Sequence, residues 1–195
     1  MAKRSLTSGE IALARGLFGT SLDYHAIGVF DRGYARINAL GNMSFRGNIF
    51  LPHGHDTDFS MASIARQRLF IHETVHVWQH QNRVLNLAVA AWREARKHRF
   101  RYGRAYLFLL DRDKDLLDYG LEQQPAIIEE YFLRQHSGVS MGRCLNRDAD
   151  IPALLEAVLG RFLHDPGYAR RGVERTRTAG GGRIAPVGPV RAEAA

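Results

Sequence analysis

The sequence predicts an α+β domain, mostly helical, in which a few short strands come first and helices follow. Three observations carry this. Apolar residues recur at helical spacing over several stretches of the 195-residue chain, and the extended apolar pieces fall within its first 51 residues. A content of 45% hydrophobic and 24% charged residues is that of an ordinary water-exposed fold with a core.

The elements follow in order. Leu6-Thr7-Ser8-Gly9-Glu10-Ile11 announces a helix, with Thr7 as N-cap, Glu10 closing a capping box, and Leu6 with Ile11 as a hydrophobic staple. It is expected to reach about Phe18, where Gly19 and Asp23 turn the chain. Ile27 and Val29 around Gly28 read as extended, as do residues 48–51, an edge strand halted by Pro52 and Gly54. From about Met61 the spacing of Ile64, Leu69, Ile71, Val75 and Trp78 predicts a helix ending near Asn82. A further helical region is expected over 84–98, then a buried segment within 105–117 between breaks at Gly103 and Gly120. Ile127, Ile128, Tyr131 and Phe132 supply the stripe of a helix over 123–134, and residues 151–163 form the last. The folded domain is placed at 1–165, followed by a basic Gly/Pro/Arg-rich tail, 166–195, expected to be disordered.

The net charge of +7 invites a nucleic-acid reading. Its distribution argues otherwise. Much of the excess lies in the last 35 residues, where seven Arg face only Asp165, Glu174 and Glu193. A basic band over 93–104 interleaves Phe100 and Tyr102, with Tyr106 just beyond, but no nucleic-acid motif accompanies it and a solvated helix face accounts for it. No apolar run approaches the roughly 20 residues of a membrane span. The start MAKRSLTSGE lacks the apolar region of a secretory signal, so synthesis is expected to end in the cytoplasm, with any export using a route without a signal peptide. Cys144 is the single cysteine, which excludes intramolecular disulfides and a zinc site of several thiolates. It has no positioned His nearby in sequence, and no Gly-x-Ser-x-Gly elbow exists, so nucleophilic catalysis is not expected.

The informative string is Phe70-Ile71-His72-Glu73-Thr74-Val75-His76-Val77-Trp78, a His-Glu-x-x-His motif inside a predicted helix. Positions i and i+4 lie about 40° apart on a helix, so His72 and His76 can converge on one divalent metal. Glu73 falls beside that point, placed to act as general base toward a metal-activated water. His80 continues the stripe but sits about 12 Å along the axis from His72, too far to share the ion. Zinc in a catalytic site usually takes three protein ligands, so a third donor is required. Pro125 is tolerated in a helix's first turn, which puts Glu122 at the start of the 123–134 helix and makes it the expected third ligand. Glu129, two turns on and on nearly the same face, is the competitor, and Glu130 reads as solvated. His53, His55, Asp56 and Asp58 form a second group of donors that a polar loop explains as well as a metal does.

The segments LTSGEIALARGLFGTSLDY, FIHETVHVWQHQ and GLEQQPAIIEEYFL, in this order, resemble the Vgr-related zinc metallopeptidases, a zincin-like HExxH family found beside bacterial type VI secretion components. The match covers roughly residues 5–137. The resemblance implies a zincin-like domain, one zinc ion held by His72, His76 and Glu122, and Glu73 as base. It departs from the family at Pro125-Ala126, where the third segment usually reads EQQAE. In zincins an acidic residue one turn after the ligand Glu commonly supports a ligand His, and losing such support costs about 10- to 100-fold in affinity or activity.

The expected function is peptide-bond hydrolysis by a type VI secretion-associated effector, with Tyr131 or His136 stabilising the oxyanion and the substrate adding as a strand along 48–51. The implied partners are a protein or peptide substrate and a secretion-apparatus or immunity protein. No specific nucleic acid and no membrane are expected. The alternative is a catalytically silent, metal-stabilised binding or adaptor module of the secretion apparatus. Ala126 favours that alternative, and the intact Glu73 argues against it.

Overall fold

Thr7 caps the first helix as its sequence requires: its side chain accepts from the Glu10 amide, and the Glu10 carboxylate accepts from the Thr7 amide. The fold built from that point is described by a computed structural model covering residues 3–36, 41–84, 102–147 and 150–170. Its elements are β1 (Arg4–Ser5), α1 (Ser8–Phe18), β2 (Gly28–Phe30), β3 (Met43–Phe45), β4 (Asn48–Phe50), α2 (Ile64–Gln81), α3 (Gln123–Ser137) and α4 (Ile151–His164). The architecture is α+β. The predicted helix over 84–98 lies almost wholly outside the described residues, as do the basic band up to Arg101 and the tail from 171 on.

Glu10 does more than cap. It is fully buried, takes both guanidinium nitrogens of Arg4 at 2.8 Å, and accepts from the Phe59 amide at 3.0 Å. One charged, fully hydrogen-bonded carboxylate thus ties β1, α1 and the 3-10 turn Phe59–Met61 together.

The sheet runs β1-β2-β4-β3, with β2 and β4 parallel and the other pairs antiparallel. This corrects one expectation. The 48–51 segment is not an edge strand: β4 lies inside the sheet, whose end strands among the described residues are β1 and β3, and β3 was not expected from the sequence. The β3–β4 hairpin turns on Arg46 and Gly47, both at positive φ (50° and 77°), the geometry that two-residue hairpins require.

Helix α2 begins at Ile64 rather than Met61 because Asp58 first caps the 3-10 turn, accepting from the Ser60 amide. It ends where Asn82 turns its amide back onto the Trp78 carbonyl and across to Ser21. Its buried face packs on α3 and on the sheet, and Trp78 stands edge-on to Phe162 of α4, with ring centroids 5.2 Å apart. The expected domain end at 165 falls within packed chain. The Trp78 indole donates to the Pro166 carbonyl at 2.9 Å, and Tyr168 and Ala169 are buried in the core. Among the described residues no helix is long and apolar enough to cross a membrane.

Candidate metal centre

The i, i+4 spacing on α2 brings the His72 and His76 rings to 5.0 Å between centroids, inclined at 77°. Across from them, the turn Leu116–Asp118, opened by a capping box between Asp115 and Asp118, delivers the chain toward α3. Pro125 sits in that helix's first turn, where its missing N–H costs nothing, and Glu122 occupies the N-cap position. The Glu122 carboxylate therefore lies beside the positive end of the α3 dipole and points at the two imidazoles.

His72 Nε2 is 3.5 Å and His76 Nε2 3.4 Å from Glu122 Oε2. Ligand atoms around a tetrahedral zinc, with bonds of about 2.0–2.1 Å, stand roughly 3.3 Å from one another, so these separations suit one ion. Among the described residues this is the one group of His and acidic donors whose ligand atoms converge, all within 4.8 Å. Glu122 Oε2 is buried and accepts no hydrogen bond from a described residue. A buried carboxylate oxygen left without a donor is costly, and a cation is the partner the donor set fits. His72, His76 and Glu122 could hold a metal.

Glu73 lies next to this group and is buried. Burial raises its pKa, against the pull of His72 and His76, while the Ser44 hydroxyl from edge strand β3 stands 2.9 Å from Glu73 Oε2 and also 2.9 Å from its carbonyl. The imidazoles are pulled the other way. Burial would lower His72, but the carboxylates of Glu122, Glu129 and Glu73 outweigh it and raise its pKa to about 10. His76 is likewise raised, burial being outweighed mainly by Glu122. Glu122 is held well below the usual carboxylate range, since the two imidazoles overcome its burial.

Each imidazole uses its second nitrogen elsewhere. His72 Nδ1 is 3.4 Å from Glu129 Oε2, and Glu129 is itself gripped by Arg68 at 2.6 Å and Arg143 at 2.5 Å. His76 Nδ1 is 2.8 Å from Gln79 Oε1. Tyr106 lies 5.7 Å from His72, ring to ring, with Arg143 stacked over it at 4.8 Å.

The structure does not bring every expected residue here. Tyr131 is half-buried and nine residues past Glu122, which is about 13 Å along α3 and half a turn away in angle. His136 is exposed in the last turn, about 21 Å along the axis, with Nδ1 on the Phe132 carbonyl. Neither meets the His–Glu group. His80 is exposed, and Glu130 is not solvated but buried, paired with Arg134 at 2.8 Å. The second group of donors does not converge on one point: Asp58 caps a turn, Asp56 pairs with Arg66 at 3.4 Å and His55 Nε2 accepts from Arg4 at 3.4 Å. Cys144 has its pKa raised by burial, the opposite of an activated thiol.

Ser44, Arg68, Gln79, Gln124, Tyr106 and Arg143 were not foreseen at the site. Arg68 and Gln79 carried a signal, one helical turn before His72 and after His76 respectively. The others arrive from distant segments.

No family model matches the chain. Over 144 residues, 69% of its length, it is 39% identical to the type VI secretion system spike protein VgrG2b of Pseudomonas aeruginosa, and it spans 13% of that protein. The solved effector domain of Pseudomonas aeruginosa VgrG2b shares its fold with a TM-score of 0.64 and 34% identity, covering 82% of this chain and 83% of that one. At 39% identity over two-thirds of its length, and with the fold shared over four-fifths of both chains, the chain belongs to the Vgr-related family of the VgrG2b effector domain.

Proposed function

We propose that the chain is a zincin-like zinc metallopeptidase acting as a type VI secretion-associated effector. The observation that carries this reading is the convergence of His72 Nε2, His76 Nε2 and the donorless Glu122 Oε2, with Glu73 beside them. When bound there, one zinc ion supplies a Lewis acid that polarises a carbonyl and acidifies water.

The chain's own residues do the rest. Glu73, poised by burial to take up a proton, accepts one from the attacking water and passes it to the leaving amine. Ser44 holds the Glu73 carboxylate from the β3 edge. Of the two end strands β3 is the one that reaches Glu73, so an extended peptide adding as a strand would run along β3 rather than along residues 48–51. Glu129 braces His72 in place of the acid missing at Ala126. The main ground for a silent, metal-stabilised adaptor module therefore falls away.

Zinc content and cleavage test this together. The wild type is expected to hold one equivalent, and His72→Ala or His76→Ala to lose it. Glu73→Gln should keep the ion yet lose at least about 10²-fold in peptide cleavage. Zinc that persists in both histidine variants overturns the site. Full cleavage by Glu73→Gln overturns the base.

A further inference from the structure

Two glutamines next to the metal centre are completely buried, Gln79 on α2 and Gln124 on α3. A buried primary amide must place two donors and an acceptor, and here the main chain leaves each only one orientation. Gln124 Nε2 lies 2.9 Å from the Tyr119 carbonyl, which can only accept, so the nitrogen must face it and Oε1 must face the other way. That Oε1 receives Gln79 Nε2 at 2.9 Å, and the same nitrogen lies 3.0 Å from the Leu121 carbonyl, a second pure acceptor. Gln79 Oε1 therefore faces His76, 2.8 Å from its Nδ1. Reversing either amide sets oxygen against oxygen between fully buried groups.

We propose that this amide chain, Tyr119 carbonyl to Gln124 to Gln79 to His76, fixes the tautomer of His76. The hydrogen must sit on Nδ1, because Gln79 offers it only an acceptor. The lone pair is then on Nε2, the nitrogen that faces Glu122. Gln79 and Gln124 are positioning residues in this scheme, and neither touches the reacting atoms. Neutral histidine in water prefers its hydrogen on Nε2, so the chain works against the intrinsic preference and removes the tautomer that could not ligate through Nε2. It also differs from the arrangement at His72, whose Nδ1 faces a carboxylate flanked by two guanidiniums. An amide orients an imidazole without adding a negative charge, so the two ligand histidines are held by partners of unequal charge. The inference deepens the metal-site reading and rests on it only for the use made of Nε2.

The test is long-range nitrogen–proton correlation NMR on the metal-free full chain with labelled histidine, above the titration of His76, with His76→Asn for assignment. The expected result is a His76 hydrogen on Nδ1 in the wild type and a shift toward Nε2 in Gln79→Met. Gln124→Met, which never touches His76, removes one of the two acceptors that hold the Gln79 amide and leaves the Leu121 carbonyl, so it should shift the hydrogen the same way to a smaller extent, and it serves should Gln79→Met fail to fold. Zinc loss to excess chelator should quicken about 10- to 100-fold in each folded variant. A wild-type hydrogen on Nε2, or an unchanged tautomer and unchanged zinc loss in the folded variants, overturns the proposal. If the wild type shows the Nδ1 hydrogen but takes up no zinc, the metal-site reading fails and the amide chain stands.

Discussion

Glu129 Oε2 stands 3.4 Å from Nδ1 of His72, seven residues beyond Glu122 instead of the four at which the family's motif carries an acid. Seven residues are close to two full helical turns, so Glu129 returns to the Glu122 face of α3. Position 126 lies on the same face, about 40° round from Glu122, and Ala126 there is buried in the apolar core. Burial works to raise the pKa of Glu129, but His72, Arg68 and Arg143 together hold it below the usual range, so the brace is a carboxylate at neutral pH. The support that the sequence seemed to lack is supplied from the next turn.

Removing that brace gives the first prediction. Glu129→Gln should quicken zinc loss to a chelator about 10- to 100-fold. Glu129→Ala should also lower stability by about 3 kcal/mol, the low end for breaking a buried pair, because Arg68 and Arg143 retain some solvent. Denaturant unfolding of the metal-free protein measures the second effect. Wild-type zinc retention in Glu129→Gln would show that His72 does not need the carboxylate.

A second prediction follows from the charge of the metal-free site. His72 is raised to about 10, so near pH 7.5 it carries a proton that a metal must displace. Zinc uptake should release at least one proton, and apparent affinity should climb as pH rises toward that value. Titration calorimetry in buffers of different ionisation enthalpy counts the protons directly. A count of zero would contradict the paired imidazole and carboxylates.

The inner site was legible in the sequence because its spacing is local. His72, Glu73 and His76 follow from one helix, and Pro125 marks the helix start that places Glu122. The outer partners were not legible because they are long-range: Arg68 meets Glu129 across 61 positions, Gln79 meets Gln124 across 45, and Ser44 meets Glu73 across 29. Helix α1 showed itself by its capping box and α3 by its apolar stripe. Strand β3 escaped because three residues, Met-Ser-Phe, are too few for an alternation to stand out, and its turn uses Arg46, an unusual residue at positive φ. The sheet order could not be read from local signals, which is why an interior strand was taken for an edge.

The buried position of Ala126 reverses what the family motif alone suggests. Ala126→Glu adds a third carboxylate to a helix face that already carries Glu122 and Glu129, within the core. Because Ala126 is buried, placing a carboxylate there should destabilise by about 3 kcal/mol or more and leave zinc affinity no better. Thermal unfolding and chelator competition decide it. A stabler variant with slower zinc loss would mean that position 126 reaches His72 and that Glu129 serves only to tie Arg68 and Arg143.

The last prediction concerns Ser44, whose Oγ stands 2.9 Å from both the Glu73 carboxylate and the Glu73 carbonyl and has one hydrogen to give. A hydrogen bond to the charged form lowers a carboxyl pKa, and here it opposes the upward push of burial. Ser44→Ala removes that opposition, so the acidic limb of the cleavage–pH profile should move to higher pH. The turnover number should fall several-fold as the carboxylate loses its anchor, with zinc content unchanged because Ser44 touches no ligand nitrogen. Ser44→Thr keeps a hydroxyl on the β3 edge and should restore the wild-type limb. An unmoved profile in Ser44→Ala would show that the hydroxyl bonds the carbonyl alone, and Glu73 would then owe its position to α2 and its burial.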